Sequence, residues 1–297
     1  MLWGVDLGGT KTEIVVLPSF AEAEPIIRRR VPTPQGEGYE AILAAIHELV
    51  SDASRDLGVS PSIIGFGTPG VIDPVTQQLK NSNTQCLNGK PFARDVSCRL
   101  GCEVRVANDA NCLALAEARL GAGKGHDVVF GVILGTGVGG GLVVGGRVLE
   151  GRQGICGEWG HNRLEWQGKE CYCGKRGCVE RVLSGPALEQ FYRDAAGEVR
   201  SLPEIIRRAR LGSDPRAEET LGRLIDYFGQ AISVVINIVD PDVIVLAGGV
   251  SNIDELYTLG AEVARKNTFN PRPDLKIVRN QLGDSAGVFG AACLSGS

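Results

Sequence analysis

The sequence contains no apolar run long enough to cross a bilayer, and its first residues lack the basic segment and apolar stretch of a secretory signal. It also has no low-complexity stretch that would act as a flexible tether. The first two absences argue against a membrane protein and against export. The third indicates that any domains are joined by short connections rather than by a flexible linker.

An excess of positive charge is missing as well. Lysine and arginine together number 31 and aspartate and glutamate 35, which gives a net charge of −4. Such a chain has no global field that would collect nucleic acid or anionic lipid, so any polyanion has to be captured locally. We therefore expect neither a nucleic-acid partner nor a membrane partner.

The composition and length are those of a two-lobed globular protein. Apolar residues make up 43% and charged residues 22% of the 297 positions, and this length is close to that of two average domains. We predict a small α/β lobe over residues 1–110 and a large α/β lobe over residues 111–284. A cleft between the two lobes would be available for ligands.

Two segments, residues 2–17 and 128–144, predict β-hairpins with glycine-rich turns, and this repetition suggests two related lobes. Apolar residues at helical spacing predict helices over residues 39–57 and about 215–239. The other predicted elements are strands at residues 63–66, 104–106 and 243–246, and helices that begin near Asp109 and Asp254.

Both glycine-rich turns have the chemistry of a phosphate site, because glycines let backbone N–H groups point outward together. Neither turn ends in Gly-Lys-Ser or Gly-Lys-Thr before a helix, and neither fits the dinucleotide fingerprint, so ATP is favoured over NAD. Each turn taken alone is more simply a hairpin turn. The candidate residues are Gly8, Gly9, Thr10 and Lys11 in the first turn, and Gly135, Thr136 and Gly137 in the second.

Four carboxylates are candidates for the chemistry of phosphoryl transfer. Asp6 ends the first strand and could hold hydrated Mg²⁺, or it could only shape the turn. Asp109 could accept the proton of an attacking hydroxyl, although a helix N-cap explains this residue better when it is taken alone. Glu158 and Glu180 flank a cysteine-rich stretch and could accept hydrogen bonds from a polyol, or be solvated surface residues.

The cysteine-rich stretch offers a metal site. His161, Cys171, Cys173 and Cys178 supply one imidazole and three thiolates within eighteen positions, a set that suits tetrahedral Zn²⁺ without an open position. A closed site of this kind is structural, and the alternative is a group of buried or redox-active thiols. Nine cysteines without a secretory signal favour the reduced cytoplasm. We interpret the other six as small core residues.

Taken together, these motifs identify a resemblance to the ROK proteins, a group of bacterial sugar kinases and related repressors within the actin-like ATPase (ribonuclease H-like) fold. The resemblance covers essentially the whole chain. Its carriers are the segments 6–11 (Asp-Leu-Gly-Gly-Thr-Lys), 67–70 (Gly-Thr-Pro-Gly), 108–111 (Asn-Asp-Ala-Asn), 135–140 (Gly-Thr-Gly-Val-Gly-Gly), 157–161 (Gly-Glu-Trp-Gly-His) and 171–180, which contains the three cysteines.

The resemblance implies an ATP-dependent kinase with its nucleotide and sugar in the cleft between two lobes. Asp109 would deprotonate a sugar hydroxyl, taken as the 6-hydroxyl, and His161 would both bind zinc and neighbour the sugar. The final helix, about residues 285–297, would pack back on the first lobe, and the protein would be a homodimer. The implied adenosine neighbours are Gly248 and Gly249, and the implied sugar contacts are Gly70, Asn83, Asn108, Asp109, Glu158, His161 and Glu180.

The identity of the sugar is the least constrained expectation. Residues 81–91 and the run Cys171-Tyr172-Cys173 look most like fructokinases and mannokinases, so fructose ranks first and mannose or another hexose second. N-acetylglucosamine kinase and glucokinase of the same family are the alternatives. A sugar-responsive repressor is disfavoured, since the first glycine turn begins at residue 8 and leaves no room for a helix-turn-helix. A zinc or redox protein ranks last.

Overall fold

The computed structural model describes residues 1–296; Ser297, which the predicted final helix includes, lies outside the described residues. The chain forms two compact units. The first contains residues 1–127, 141–156 and the C-terminal segment from Gln281 onward, and the second contains residues 128–140 and 157–280. The described part of the chain holds no helix with the length and hydrophobicity needed to span a bilayer.

Strands and helices are interspersed along the chain, as expected for an α/β protein. The strands are β1 (Leu2–Leu7), β2 (Lys11–Leu17), β3 (Ile27–Pro32), β4 (Ile63–Thr68), β5 (Val71–Ile72), β6 (Leu79–Lys80), β7 (Glu103–Asn108), β8 (Val128–Leu134), β9 (Val138–Val144), β10 (Arg147–Val148), β11 (Val243–Ala247) and β12 (Ile277–Arg279). The helices are α1 (Tyr39–Leu57), α2 (Phe92–Leu100), α3 (Asp109–Leu120), α4 (Glu180–Leu183), α5 (Gly185–Ala196), α6 (Leu202–Arg210), α7 (Pro215–Val239), α8 (Leu259–Asn267) and α9 (Ala286–Ser295).

The first sheet has the strand order β3-β2-β1-β4-β7. Its hairpin β1–β2 is antiparallel, as the sequence predicted, whereas β1, β4 and β7 run parallel. Because parallel strands end at the same edge of a sheet, the register places Asp6 beside Gly67, and Thr68 beside Asn108. The first glycine turn and the start of α3 therefore belong to one edge of one sheet.

Helix α9 lies directly on this sheet. A Cβ atom at Gly4 or Gly65 would collide with the backbone of Ala292 or Ala291, so only glycine permits this approach. Helix α3 packs against α9 in turn. This packing is the reason that the first unit continues through α3 to Asp127, whereas we predicted a boundary near residue 110.

The second sheet has the order β10-β9-β8-β11-β12, with β11 parallel to both β8 and β12. Helix α7 has the predicted bounds, because Asp214 caps it through the N–H groups of Arg216 and Ala217. The helix predicted near Asp254 is instead a short 3₁₀ turn, and α8 begins only at Leu259. A hydrogen bond from the Tyr257 hydroxyl to the carbonyl of Ser251, 2.7 Å long, holds this segment in tight turns.

Candidate active site and metal centre

The first glycine turn is braced by Thr33, a residue that the sequence analysis missed. The N–H of Gly8 donates to the carbonyl of Lys11 at 2.9 Å, which closes the turn. The hydroxyl of Thr33 donates to the carbonyl of Gly8 at 2.8 Å and lies 2.9 Å from that of Thr12. Gly9 and Thr10 remain accessible at the tip of the turn. The turn is therefore stabilised by Thr33 at its base, while its tip is accessible to a ligand.

Asp6 is an unusually basic carboxylate at the base of this turn. Desolvation, followed by the charges of Asp109 and Glu13, raises the pKa of Asp6 to about 6, and Lys11 opposes the shift. The absence of a side chain at Gly67 leaves room, since a Cβ there would lie 3.1 Å from Oδ1 of Asp6. Asp6 and Asp109 thus belong to the same electrostatic cluster.

Asp109 is not the cap of α3. The side chain of Asn108 fills that position, because its Oδ1 accepts the N–H of Asn111 at 2.8 Å. Asp109 is the first helical residue, accessible to solvent, and its Oδ1 accepts the N–H of Ala110 at 2.8 Å. Although the residue has accessible surface, the protein packed around its carboxylate desolvates it and raises the pKa of Asp109, against the effect of this backbone bond. The residue is therefore an accessible carboxylate with increased basicity.

The other two predicted sugar contacts of the first unit differ in character. Gly70 is buried, and a Cβ there would lie 2.6 Å from the carbonyl of Lys80, so packing alone explains this glycine. Asn83 is exposed, and its Oδ1 accepts a long hydrogen bond of 3.5 Å from the hydroxyl of Thr84. Only Asn83 of this pair presents a free side-chain surface to a ligand.

The predicted metal ligands converge in the second unit. The ligand atoms of His161, Cys171, Cys173 and Cys178 all lie within 4.8 Å of one another. The Sγ atoms of Cys173 and Cys178 are 3.6 Å apart, and Sγ of Cys171 is 3.6 Å from Nδ1 of His161. A tetrahedral ion with zinc–sulfur bonds of about 2.3 Å sets such ligand atoms roughly 3.8 Å apart. The cluster therefore fits structural Zn²⁺.

Glycine makes the tight path of this loop possible. Gly174 and Gly177 have φ values of +82° and +69°, a region that favours glycine. A Cβ at Gly177 would also collide with the carbonyl of Glu165. Both glycines lie between the second and third cysteines of the set, so they allow the chain to fold back on itself.

Tyr172 is a second residue that the sequence analysis missed as a functional neighbour. Its hydroxyl lies 3.0 Å from Nε2 of His161, on the opposite side of the ring from the nitrogen that faces the thiols. Desolvation and the carboxylate of Glu180 raise the pKa of Tyr172 to about 12, with Glu158 adding to the effect. The hydroxyl stays neutral, and at this distance it can orient the imidazole.

A hydrogen bond connects the strand that follows the second glycine turn to the metal-binding loop. Glu180 begins α4, and its Oε2 accepts the N–H of Val138 at 3.0 Å. A Cβ at Gly137 would lie 2.8 Å from the same oxygen, so a larger residue there would displace the carboxylate from this position. Of the predicted sugar contacts, His161 lies beside the Tyr172 hydroxyl, Glu158 and Glu180 are near enough to raise its pKa, and Glu180 also contacts the strand that leaves the turn.

A cavity of about 780 Å³ opens beside the second turn. Its lining includes the predicted residues Gly135, Thr136 and Gly249, and its volume lies in the range of small-molecule sites. Gly248 has a φ of +89° and packs against the end of β8, where a Cβ would collide with Leu134. The part of the lining that the sequence analysis missed comes from α5 and α6 and includes Pro186, Pro203, Ile206, Arg207 and Arg210.

We predicted that the six cysteines outside the metal cluster are all core residues. The structure shows that they differ in burial. Cys112 and Cys293 are buried, Cys86, Cys102 and Cys156 are half-buried, and Cys98 is exposed. The prediction is wrong for Cys98, because this residue lies on the outer face of the short helix α2.

The fold and these motifs match known proteins over the full chain. The model of the family described as "ROK family" matches residues 2–297. The chain is 38% identical to N-acetyl-D-glucosamine kinases of Pectobacterium atrosepticum and of Mannheimia succiniciproducens, covering 99% of this chain and 98% and 99% of theirs.

Two solved structures extend the match. The ROK hexokinase from Thermus thermophilus is similar with a TM-score of 0.89 and 34% identity, over 99% of this chain and 97% of the other. A ROK family glucokinase from Streptomyces griseus, in complex with glucose and AMPPNP, gives a TM-score of 0.76 and 31% identity over 99% and 98%. The chain has the two-lobed actin-like ATPase fold of these enzymes, and it belongs to the ROK family as an ATP-dependent sugar kinase.

Proposed function

We propose that this sugar kinase phosphorylates N-acetylglucosamine at its 6-hydroxyl. The observation that carries the proposal is the identity of 36–38% over 99% of the chain to relatives named N-acetyl-D-glucosamine kinase. The first-ranked expectation, fructose or mannose, rested on the short segments at residues 81–91 and 171–173. Similarity over the whole chain is the stronger argument because it includes every segment that surrounds a ligand.

We assign the role of base to Asp109. Its carboxylate takes the proton of the sugar hydroxyl, the oxygen bonds to the γ-phosphorus, and the bond from that phosphorus to the β–γ bridging oxygen breaks to release ADP. Asn108 supports this role by capping α3, which leaves Asp109 accessible. The raised pKa of Asp109 makes it a stronger proton acceptor.

The nucleotide is assigned to the two glycine turns and the cavity beside the second. Thr10 and Lys11 offer a hydroxyl and an ammonium to phosphate oxygens. Gly249 lines the cavity and Gly248 packs against the end of β8, and we assign both to the adenosine. Asp6 would hold Mg²⁺, an ion that prefers one or two carboxylates together with phosphate oxygens. When bound, the ion would supply charge neutralisation to the phosphate oxygens.

We assign the sugar contacts to Asn83, Asn108, Asp109, Glu158, His161 and Glu180. Carboxylates and amides accept and donate the hydrogen bonds that vicinal hydroxyls require. Nδ1 of His161 faces the thiols and Nε2 faces Tyr172. A sugar hydroxyl that uses Nε2 therefore has to replace the Tyr172 hydroxyl there.

The test is a coupled ADP-release assay with N-acetylglucosamine, glucose, mannose and fructose. We expect kcat/KM to be highest for N-acetylglucosamine, by a factor of about 10 or more over the hexoses, as expected when a site is built to pair with an added polar group. A higher kcat/KM for fructose or mannose would overturn the proposed substrate and support the earlier expectation. The homodimer and the cytoplasmic location stay predictions.

A further inference from the structure

The metal-binding loop and the second glycine turn are joined by direct contacts within the second unit. Besides the bond from Val138 to Glu180, Nε1 of Trp159 donates to the carbonyl of Gly139 at 3.1 Å. A Cβ at Gly160 would collide with the carbonyl of Val138. Contacts from two segments of the loop therefore hold the strand that leaves the turn.

Each of these contacts lies next to a metal ligand in the sequence. Gly160 immediately precedes His161, and Glu180 follows Cys178 by two positions. The two segments also pair with each other, since the N–H of Val179 donates to the carbonyl of Asn162 at 3.0 Å. Binding of His161 and Cys178 to one ion therefore fixes both segments that contact the turn.

The turn itself has little to fix its shape. Its internal hydrogen bond runs from the N–H of Gly135 to the carbonyl of Gly137 at 2.9 Å, and two of its three residues are glycines. Glycine has the largest conformational freedom of any residue, so such a turn gains order mainly from outside. Two outside contacts are made at its ends: the N–H of Gly185 donates to the carbonyl of Gly135 at 2.9 Å, and the carboxylate of Glu180 accepts the N–H of Val138, the residue that follows the turn.

We propose that Glu180 is a positioning residue for the nucleotide, which transmits the order of the metal-binding loop to the phosphate-binding turn at residues 135–137. The inference rests on the proposed function, because it takes that turn as the phosphate site. It assigns Glu180 a role that is separate from its proposed contact with the sugar. Metal in the Cys₃His cluster then increases nucleotide affinity even when no sugar is present.

The test measures nucleotide binding without sugar. Isothermal titration with AMPPNP and Mg²⁺ would compare the wild-type protein with E180A and E180Q. Loss of one hydrogen bond to a charged group should weaken AMPPNP binding about tenfold in E180A. E180Q keeps an oxygen that can accept the Val138 N–H, so its Kd should stay within about threefold of wild type. E170A is the matched control, since Glu170 lies in the same loop and its carboxylate pairs with Arg176 rather than with the turn.

A further variant guards against a failure to fold. E180D keeps the charge but withdraws the carboxylate by one methylene, and it should give an intermediate Kd. Circular dichroism and zinc content would show that each variant is folded and loaded. An E180A protein that is folded, loaded and binds AMPPNP as tightly as wild type would overturn the inference. Wild-type protein that binds no AMPPNP would overturn the proposed nucleotide site as well.

The link to the metal has its own readout. Removal of zinc by a chelator should weaken AMPPNP binding in the wild-type protein and have a smaller effect in E180A, where the connection is already broken. An equal loss in both proteins would show that the coupling does not pass through Glu180. Sugar binding is measured separately: E180Q should raise the KM for the sugar while leaving the Kd for AMPPNP nearly unchanged.

Discussion

Asp109 and Asn108 divide two tasks that a single residue at a helix start often combines. Asn108 takes the cap, and Asp109 remains accessible as the first residue of α3. The sequence correctly predicted the strand and a helix that begins near these two residues. It left open which residue is the cap, because Asn and Asp are equally good caps and only the direction of the side chains decides.

Replacing Asp109 by asparagine should remove catalysis and preserve the fold. The amide keeps the shape and the hydrogen bond from Ala110 but cannot accept a proton, so kcat should fall by about 10²-fold or more. Steady-state ADP release and the melting temperature would be measured together. D95N is the matched control, the same exchange in the first turn of α2, and should retain kcat. Near-normal kcat in D109N would contradict the assignment.

Asp6 should make the stability of the protein depend on pH when neither Mg²⁺ nor nucleotide is bound. Its folded-state pKa of about 6 lies above the ordinary value of 3.8, so folding favours its protonated form. The contribution of Asp6 to the free energy of unfolding is therefore fully present below pH 3.8. It is lost as the pH rises through about 6. D6N, which cannot ionise, should therefore unfold at higher urea than wild type at pH 8.

The expected gain for D6N is about 1–2 kcal/mol in the free energy of unfolding at pH 8, allowing for partial solvent screening. The difference should shrink as pH is lowered through 6 toward 4. Urea unfolding at several pH values, followed by circular dichroism, would measure it. A D6N protein that is less stable than wild type at pH 8 would contradict the origin that we give for the shift.

At the scale of elements, the metal-binding loop shows where sequence reasoning succeeds and where it ends. The ligands His161, Cys171, Cys173 and Cys178 were predictable because ligand type and spacing are local properties. The roles of Tyr172 and of the Glu180–Val138 bond were not, since both depend on how distant segments pack. Helices such as α7 were predictable for the same local reason, through Asp214, Pro215 and the apolar periodicity.

Tyr172 should affect the metal more than the fold. Y172F removes the hydroxyl at Nε2 of His161 and keeps the ring, which packs edge-on to the imidazole at 5.2 Å. Loss of such a partner typically lowers metal affinity about 10-fold or more. Competition with a chromophoric chelator would measure zinc affinity, with E170A as a control in the same loop. Equal zinc affinity in Y172F and wild type would show that the hydroxyl does not orient His161.

At the scale of the whole chain, the last helix completes the first unit. Helix α9 follows the entire second unit in sequence and yet packs on β1 and β4. Composition and periodicity indicated two lobes but placed the boundary near residue 110, because the packing of α3 on α9 joins segments more than 160 positions apart. Contacts at such separation leave no local pattern, and only the family resemblance indicated where α9 returns.

The glycines on which α9 packs should therefore be important for the stability of the first unit, and Gly65 provides the test. In G65A the added Cβ would collide with the carbonyl of Ala291, and neither backbone segment can move freely. Overpacking of this kind should lower the free energy of unfolding by at least about 2 kcal/mol. G222A is the matched control, because Gly222 lies within α7 with nothing near its Cβ position, and alanine there should stabilise by roughly 0.5–1 kcal/mol. Urea unfolding would measure both, and G65A with wild-type stability would show that α9 does not rest on β4 as closely as described.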